Sequence, residues 1–166
     1  MITPDYVRVM ARYNAWQNAS LFGAADQINE DARRQDRGAF FGSIQGTLAH
    51  LLWGDTIWMS RFDGWDAPAA GIPDSPAFID DWVALKAARD LADGRILDWA
   101  GRVSGADLTG DLAWYSGAMK RDVTKPRALC IIHMFNHQTH HRGQVHAMLT
   151  AAGARPDDTD LPFMEL

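Results

Sequence analysis

Cys130-Ile131-Ile132-His133-Met134-Phe135-Asn136-His137-Gln138-Thr139-His140-His141-Arg142-Gly143-Gln144-Val145-His146-Ala147-Met148 carries five of the chain's six histidines. At about 100° per residue, with His133 at zero, Cys130, Met134, Val145 and Met148 fall between about 60° and 120°. A stripe of this kind is the core-facing side of an amphipathic helix. His141, at about 80°, sits within it and His137, at about 40°, lies beside its edge, where the pattern otherwise places Leu or Met. His133 and His140 lie at its margin and His146 points away.

Thr124 and Pro126 read as the N-cap region and first turn of this helix, and Gly153 as its stop, giving a span of about 126–152. Near the start of the chain, Thr3-Pro4-Asp5 supplies an N-cap, a proline at the first helical position and an acid at the positive helix end. Tyr6, Met10, Tyr13, Trp16, Leu21 and Phe22 carry that helix to about Gln27, and residues 29–42 read as a connection. Ser43 caps a second helix over 44–62, with Ile44, Leu48, Leu51, Trp58, Met59 and Phe62 as its main stripe. Asp63-Gly64 ends it and the Pro- and Gly-bearing stretch 64–76 is a loop. Ser75-Pro76 opens a third helix that reaches about Ala100. Between 101 and 124, Leu112, Trp114, Met119, Arg121 and Val123 alternate around Ser116-Gly117, which predicts a short hairpin or an irregular excursion. The fold class is therefore all-α, a four-helix bundle with that excursion before its last helix, in one domain over 1–166.

Composition narrows the function. A net charge of −5 with no Lys/Arg-rich run argues against a nucleic-acid partner, because phosphate binding needs clustered cations. No apolar run is long enough to span a membrane, and Met1-Ile2-Thr3-Pro4-Asp5 lacks the basic and apolar regions of a secretory signal. A single cysteine, Cys130, cannot form an internal disulfide, so a reducing cytoplasm is the expected location. Cys130 lies on the core stripe and reads as a small buried hydrophobe rather than a nucleophile.

The inward pair His137 and His141 is the chemical signal. Imidazoles at i and i+4 stack on one helix face and can turn one nitrogen each towards a single ion. Two buried imidazoles without a shared ion or proton carry a desolvation cost. The plainer reading, core histidines satisfied by hydrogen bonds, stands beside the metal reading. A third ligand must come from elsewhere. His50 lies in the second helix but off its main stripe, on a face shared with Trp53 and Ile57. Asp55 is on the stripe and competes for the role, and a hydrogen-bonded inward acid would explain it equally well.

Asn136-His137-Gln138-Thr139-His140-His141-Arg142-Gly143-Gln144-Val145 resembles the terminal-helix motif of the DinB family of damage-inducible proteins. Tyr13-Asn14-Ala15-Trp16 and Ser43-Ile44-Gln45-Gly46-Thr47-Leu48-Ala49-His50 resemble the same family's first and second helices. The resemblance implies a bundle whose divalent metal is held by three histidines, here His50, His137 and His141. It also implies kinship with thiol-dependent transferases and isomerases, among many proteins without an assigned activity.

Three neutral histidines leave Zn²⁺ or Ni²⁺, the metals expected here, with open positions. The leading expectation is a metal-dependent enzyme, a thiol transferase or a hydrolase, whose partners are a small substrate and a low-molecular-weight thiol. The alternative is a non-catalytic bundle in which the metal is structural or supports ligand binding. His133 and His140 are candidate hydrogen-bond partners of the ligands or proton carriers. Trp53, Trp58, Trp114 and Tyr115 are candidate pocket walls. Arg142, opposite the stripe, is expected at the surface in ion pairs or on the tail. Gly143, costly inside a helix, shares a face with Leu129, Ile132 and Asn136. That face fits close helix approach, inside the bundle or across a symmetric homodimer.

Overall fold

The computed structural model describes residues 1–165. Helix α1 spans Pro4–Ala25, and the Thr3 hydroxyl accepts from the Tyr6 N–H to cap it. A five-residue helix α2, Glu30–Arg34, is capped by Asn29 within the stretch read as a connection. Helix α3 spans Ile44–Phe62 and is capped by Ser43 as expected. Helix α4 spans Trp82–Arg102, strands β1 and β2 span Asp111–Ser116 and Arg121–Pro126, and helix α5 spans Arg127–Ala151. Gly153 closes α5 with φ +84°, a left-handed turn that lets the Ala154 N–H reach the Leu149 carbonyl.

Helix α1 packs on α4 and α5, and α3 packs on the same two, so α1 and α3 occupy opposite corners of the bundle. Val7, Ile44, Leu85, Met134 and Phe135 fill the centre and are essentially solvent-free. The antiparallel hairpin pairs Trp114 with Val123 and Leu112 with Lys125, in the stretch where alternation predicted one.

Two boundaries differ from the sequence reading. The third long helix starts at Trp82, where the Asp81 carboxylate accepts from the Ala84 N–H, not at Ser75-Pro76. Ser75 and Pro76 lie instead in a 3-10 turn, Ile72–Ala77, packed against α3. The core contacts of Phe78 and Ile79 extended the apolar pattern past the true helix start. Thr124 and Pro126 lie in β2, and α5 begins one residue later.

Arg142 corrects a larger expectation. It is 4 % exposed, donating to Asn14 Oδ1 at 2.6 Å and Gln138 Oε1 at 3.3 Å. Arg142 falls at about 180° on the wheel, on the flank of α5 beside the histidine stripe, and that flank is buried because it packs on α1. Two of the resembling segments, Tyr13–Trp16 and Asn136–Val145, therefore meet through Asn14 and Arg142. Asp55 is likewise settled: it is buried and pairs with Arg89 at 2.7 Å, while Arg89 also reaches Asp93 at 2.8 Å. The Leu129 and Gly143 face packs on nothing in the bundle: Leu129 is exposed, and a Cβ at Gly143 would meet no atom within 4 Å.

Candidate metal centre

His50 projects from the middle of α3, and His137 and His141 project from successive turns of α5 across the α3–α5 seam. One nitrogen from each ring lies within 4.8 Å of the other two, a spacing that can hold a metal ion. His50 Nε2 and His137 Nε2 stand 3.0 Å apart. His50 and His141 are buried, and His137 is half-buried beside the exposed His133 and His140, so the cluster opens to solvent on that side.

The far side of two rings is fixed by acceptors. The Ser75 hydroxyl donates to the Ile72 carbonyl at 2.7 Å, so its oxygen is left to accept from His50 Nδ1–H, also at 2.7 Å. The Gln144 side-chain oxygen accepts from His141 Nδ1–H at 2.7 Å. In each ring the proton is thereby held on Nδ1 and the Nε2 lone pair is directed into the cluster, the arrangement a ligating imidazole needs. The Phe41 ring stacks on His50 with centroids 3.6 Å apart, covering its face.

Electrostatics agree with the geometry. Burial, reinforced by the neighbouring His141, holds the His50 pKa down to about 3. Burial and the surrounding imidazoles bring His137 to about 3 as well. Burial lowers His141 too, against the opposing pull of its hydrogen bond to Gln144. Near neutral pH the three rings are neutral and present lone pairs, so the donor set fits a borderline divalent cation such as Zn²⁺ or Ni²⁺.

Gly54, one turn after His50, explains how the seam closes. A Cβ there would stand 2.9 Å from Cε1 of His137, so only glycine admits the ring in this position. Sequence reasoning missed Gly54 and Ser75. The signal for Gly54 was a glycine four residues after a candidate ligand, in a helix interior where it otherwise costs stability. Ser75 carried no signal, being 25 residues from His50 in a loop. His133 and His140 were candidate hydrogen-bond partners of the ligands, but neither makes such a bond among the described residues. His133 packs edge-on against Trp58 instead, at 5.2 Å.

The DinB family model matches this sequence over residues 1–166. The chain belongs to the DinB family. Among DinB relatives, Protein DinB of Bacillus subtilis (strain 168) is 26 % identical over 168 residues, covering 94 % of this chain and 91 % of that protein. In this DinB-family bundle Cys130 is buried on the core side of α5, and burial raises its thiol pKa, as a packing residue requires. No helix of the described residues is long and apolar enough to cross a membrane.

Proposed function

We propose that this protein is a metal-dependent enzyme. One Zn²⁺ or Ni²⁺ is ligated by His50, His137 and His141, and transfer of a low-molecular-weight thiol to an electrophile is the favoured reaction. The observation that carries the reading is the convergence of three neutral ring nitrogens, two with their opposite N–H already committed to Ser75 and Gln144. A divalent ion held there by three neutral ligands would supply Lewis acidity that makes a bound thiol or water acidic near neutral pH. Ser75 and Gln144 hold the tautomers and ring orientations, and Phe41 keeps water off one face of His50. The half-buried His137 leaves the approach open to a small molecule. Because Cys130 is a core residue, the reacting sulfur comes from the small molecule.

Elemental analysis of purified protein tests the centre: about one Zn²⁺ or Ni²⁺ per chain is expected, with tight binding lost in His137→Ala/His141→Ala. Full binding by that double variant would overturn the assignment. A thiol-and-electrophile screen with and without chelator then tests the reaction. Bound metal with no chelator-sensitive turnover would favour a non-catalytic bundle. Homodimerisation through Leu129, Ile132 and Gly143 belongs to the same proposal, and a single-chain sedimentation mass at micromolar concentration would count against it.

A further inference from the structure

Beyond the histidine cluster, the α3–α5 seam continues as a surface of a different kind. His133 lies next to His137, with ring centroids 5.9 Å apart, and packs on Trp58. Trp58 meets Trp114 of the hairpin edge-on at 5.6 Å. The Arg61 guanidinium lies over both indoles, 4.5 Å from the Trp58 centroid and 5.1 Å from the Trp114 centroid. Residues directly opposite in an antiparallel pair share a face, as do alternate residues of one strand. Lys125, paired with Leu112, therefore lies on the same hairpin face as Trp114. Arg61, Arg127 and Lys125 all stand close enough to Cys130 to oppose the rise that burial causes in its thiol pKa.

Arg61 differs from the cations of the bundle's ion pairs. Among the described residues it enters no ion pair and makes no side-chain hydrogen bond, whereas Arg34, Arg89 and Arg102 each reach a carboxylate. Burial lowers its pKa, opposed only by the Cys130 thiol and by no carboxylate. A partly desolvated guanidinium stacked on indoles keeps its in-plane N–H donors free, and these suit a carboxylate or a similar planar anion. In a chain of net charge −5, a cation pair without acids at the end of an aromatic track is a local exception.

We infer that the surface from His137 past His133, Trp58 and Trp114 seats the non-reacting part of the substrate, and that Arg61, assisted by Lys125, binds an anionic group there. This rests on the reading of the histidine cluster as a metal centre. Arg61 is seven residues beyond Gly54, against which His137 lies, or about 10 Å along the helix. The ligand class is therefore a small molecule whose carboxylate lies about 10 Å from the atom that reaches the metal, with an apolar or planar stretch between. Arg61 is a specificity residue in this scheme and takes no part in bond making.

The test uses Co²⁺-loaded protein and ω-mercapto acids paired with their primary amides. 8-Mercaptooctanoate spans the required distance and 3-mercaptopropionate does not. The thiolate charge-transfer band should show the longer acid binding about tenfold or more tightly than its amide, and the shorter acid without preference. In Arg61→Met, which keeps an unbranched chain against the indoles, the preference should fall towards one, and Arg61→Lys should restore part of it. Equal binding of the long acid and its amide, or an undiminished preference in Arg61→Met, overturns the inference. If no thiol changes the spectrum, the metal-thiol reading fails and octanoate alone decides the anion site. Octanoate binding by calorimetry that is lost in Arg61→Met upholds the site, and binding equal in both proteins overturns it.

Discussion

The bundle buries two polar clusters that handle their own charge in opposite ways. At the first, Arg89 lies between Asp55 and Asp93, Asn18 donates to Asp93, and Arg142 adds a second cation nearby. Two cations and two carboxylates balance inside the protein, and the cluster ties α1, α3, α4 and α5 together. At the second, His50, His137 and His141 carry no charge near neutral pH, and His50 Nε2, a lone pair once Nδ1–H is given to Ser75, faces His137 Nε2 at 3.0 Å. The first cluster supplies its own counter-charges, although Asp55 Oδ1 and Arg89 Nε lack hydrogen-bond partners. The second is satisfied on its outer side, by Ser75 and Gln144, and brings no counter-charge to its inner side, which could hold a cation. A buried polar group without a partner costs free energy, and a cation shared on the inner side would offset that cost for all three rings.

The sharpest way to break this contrast is at Arg89. Arg89→Met leaves two buried carboxylates unmatched, and urea unfolding should show a loss of about 3–5 kcal/mol. His141→Leu removes only a neutral ring, so the metal-free protein should lose much less in the same assay. Equal losses would mean that the histidines are a stabilising device like the ion cluster.

Gly54→Ala should separate metal binding from folding. The methyl collides with His137 Cε1, which can swing aside in the metal-free protein but not once its nitrogen is pinned. Competition against a chelator should show about a hundredfold weaker metal binding, while the metal-free fold gains from alanine's helix preference, worth about 1 kcal/mol. Unchanged affinity would show that His137 ligates from another ring position.

Ser75→Ala is gentler, since it removes one acceptor and leaves His50 in place. About a tenfold loss of metal affinity is expected, at the lower end of what outer hydrogen-bond partners contribute. Gln144→Ala should do less, because Gln144 is half-exposed and water can replace it.

The effect that sets in only under acid is in the pH profile of the metal-free protein. His50 and His137 have folded-state pKa values near 3, below their ordinary 6.5, so the unfolded chain takes up protons that the folded one refuses. Their contribution to stability is present above about pH 6.5 and is lost progressively as pH falls towards about 3. Denaturation midpoints for wild type and His50→Ala/His137→Ala should diverge across that window. Parallel profiles would count against buried neutral rings.

The bundle and the α5 histidine pair were legible because periodicity reports which side of a helix is buried. That signal fails where a helix is buried on more than one side. Every residue from Ile44 to Asp55 is buried, so no angular argument could separate His50 from Asp55. The resemblance of motifs placed His50, and only the position of Arg89 explained Asp55. Arg142 was misplaced for the same reason, since α5 faces α3 on one side and α1 on the other. Ser75 was beyond reach because a loop carries no periodicity, and its Ser-Pro pair imitates a helix start. Helix α2 is too short for a period to register.

The hairpin has a consequence for how such a protein changes over time. Its two strands bond mainly to each other, its far end carries the exposed Tyr115 and Met119, and it meets the seam through Trp114. None of the three metal-centre histidines, nor the groups that orient them, lies on it. Insertions, deletions and recombination within residues 111–126 can therefore accumulate while the histidine cluster is inherited intact. Variation among relatives should concentrate there, and a laboratory library confined to those sixteen codons would leave the histidine cluster untouched.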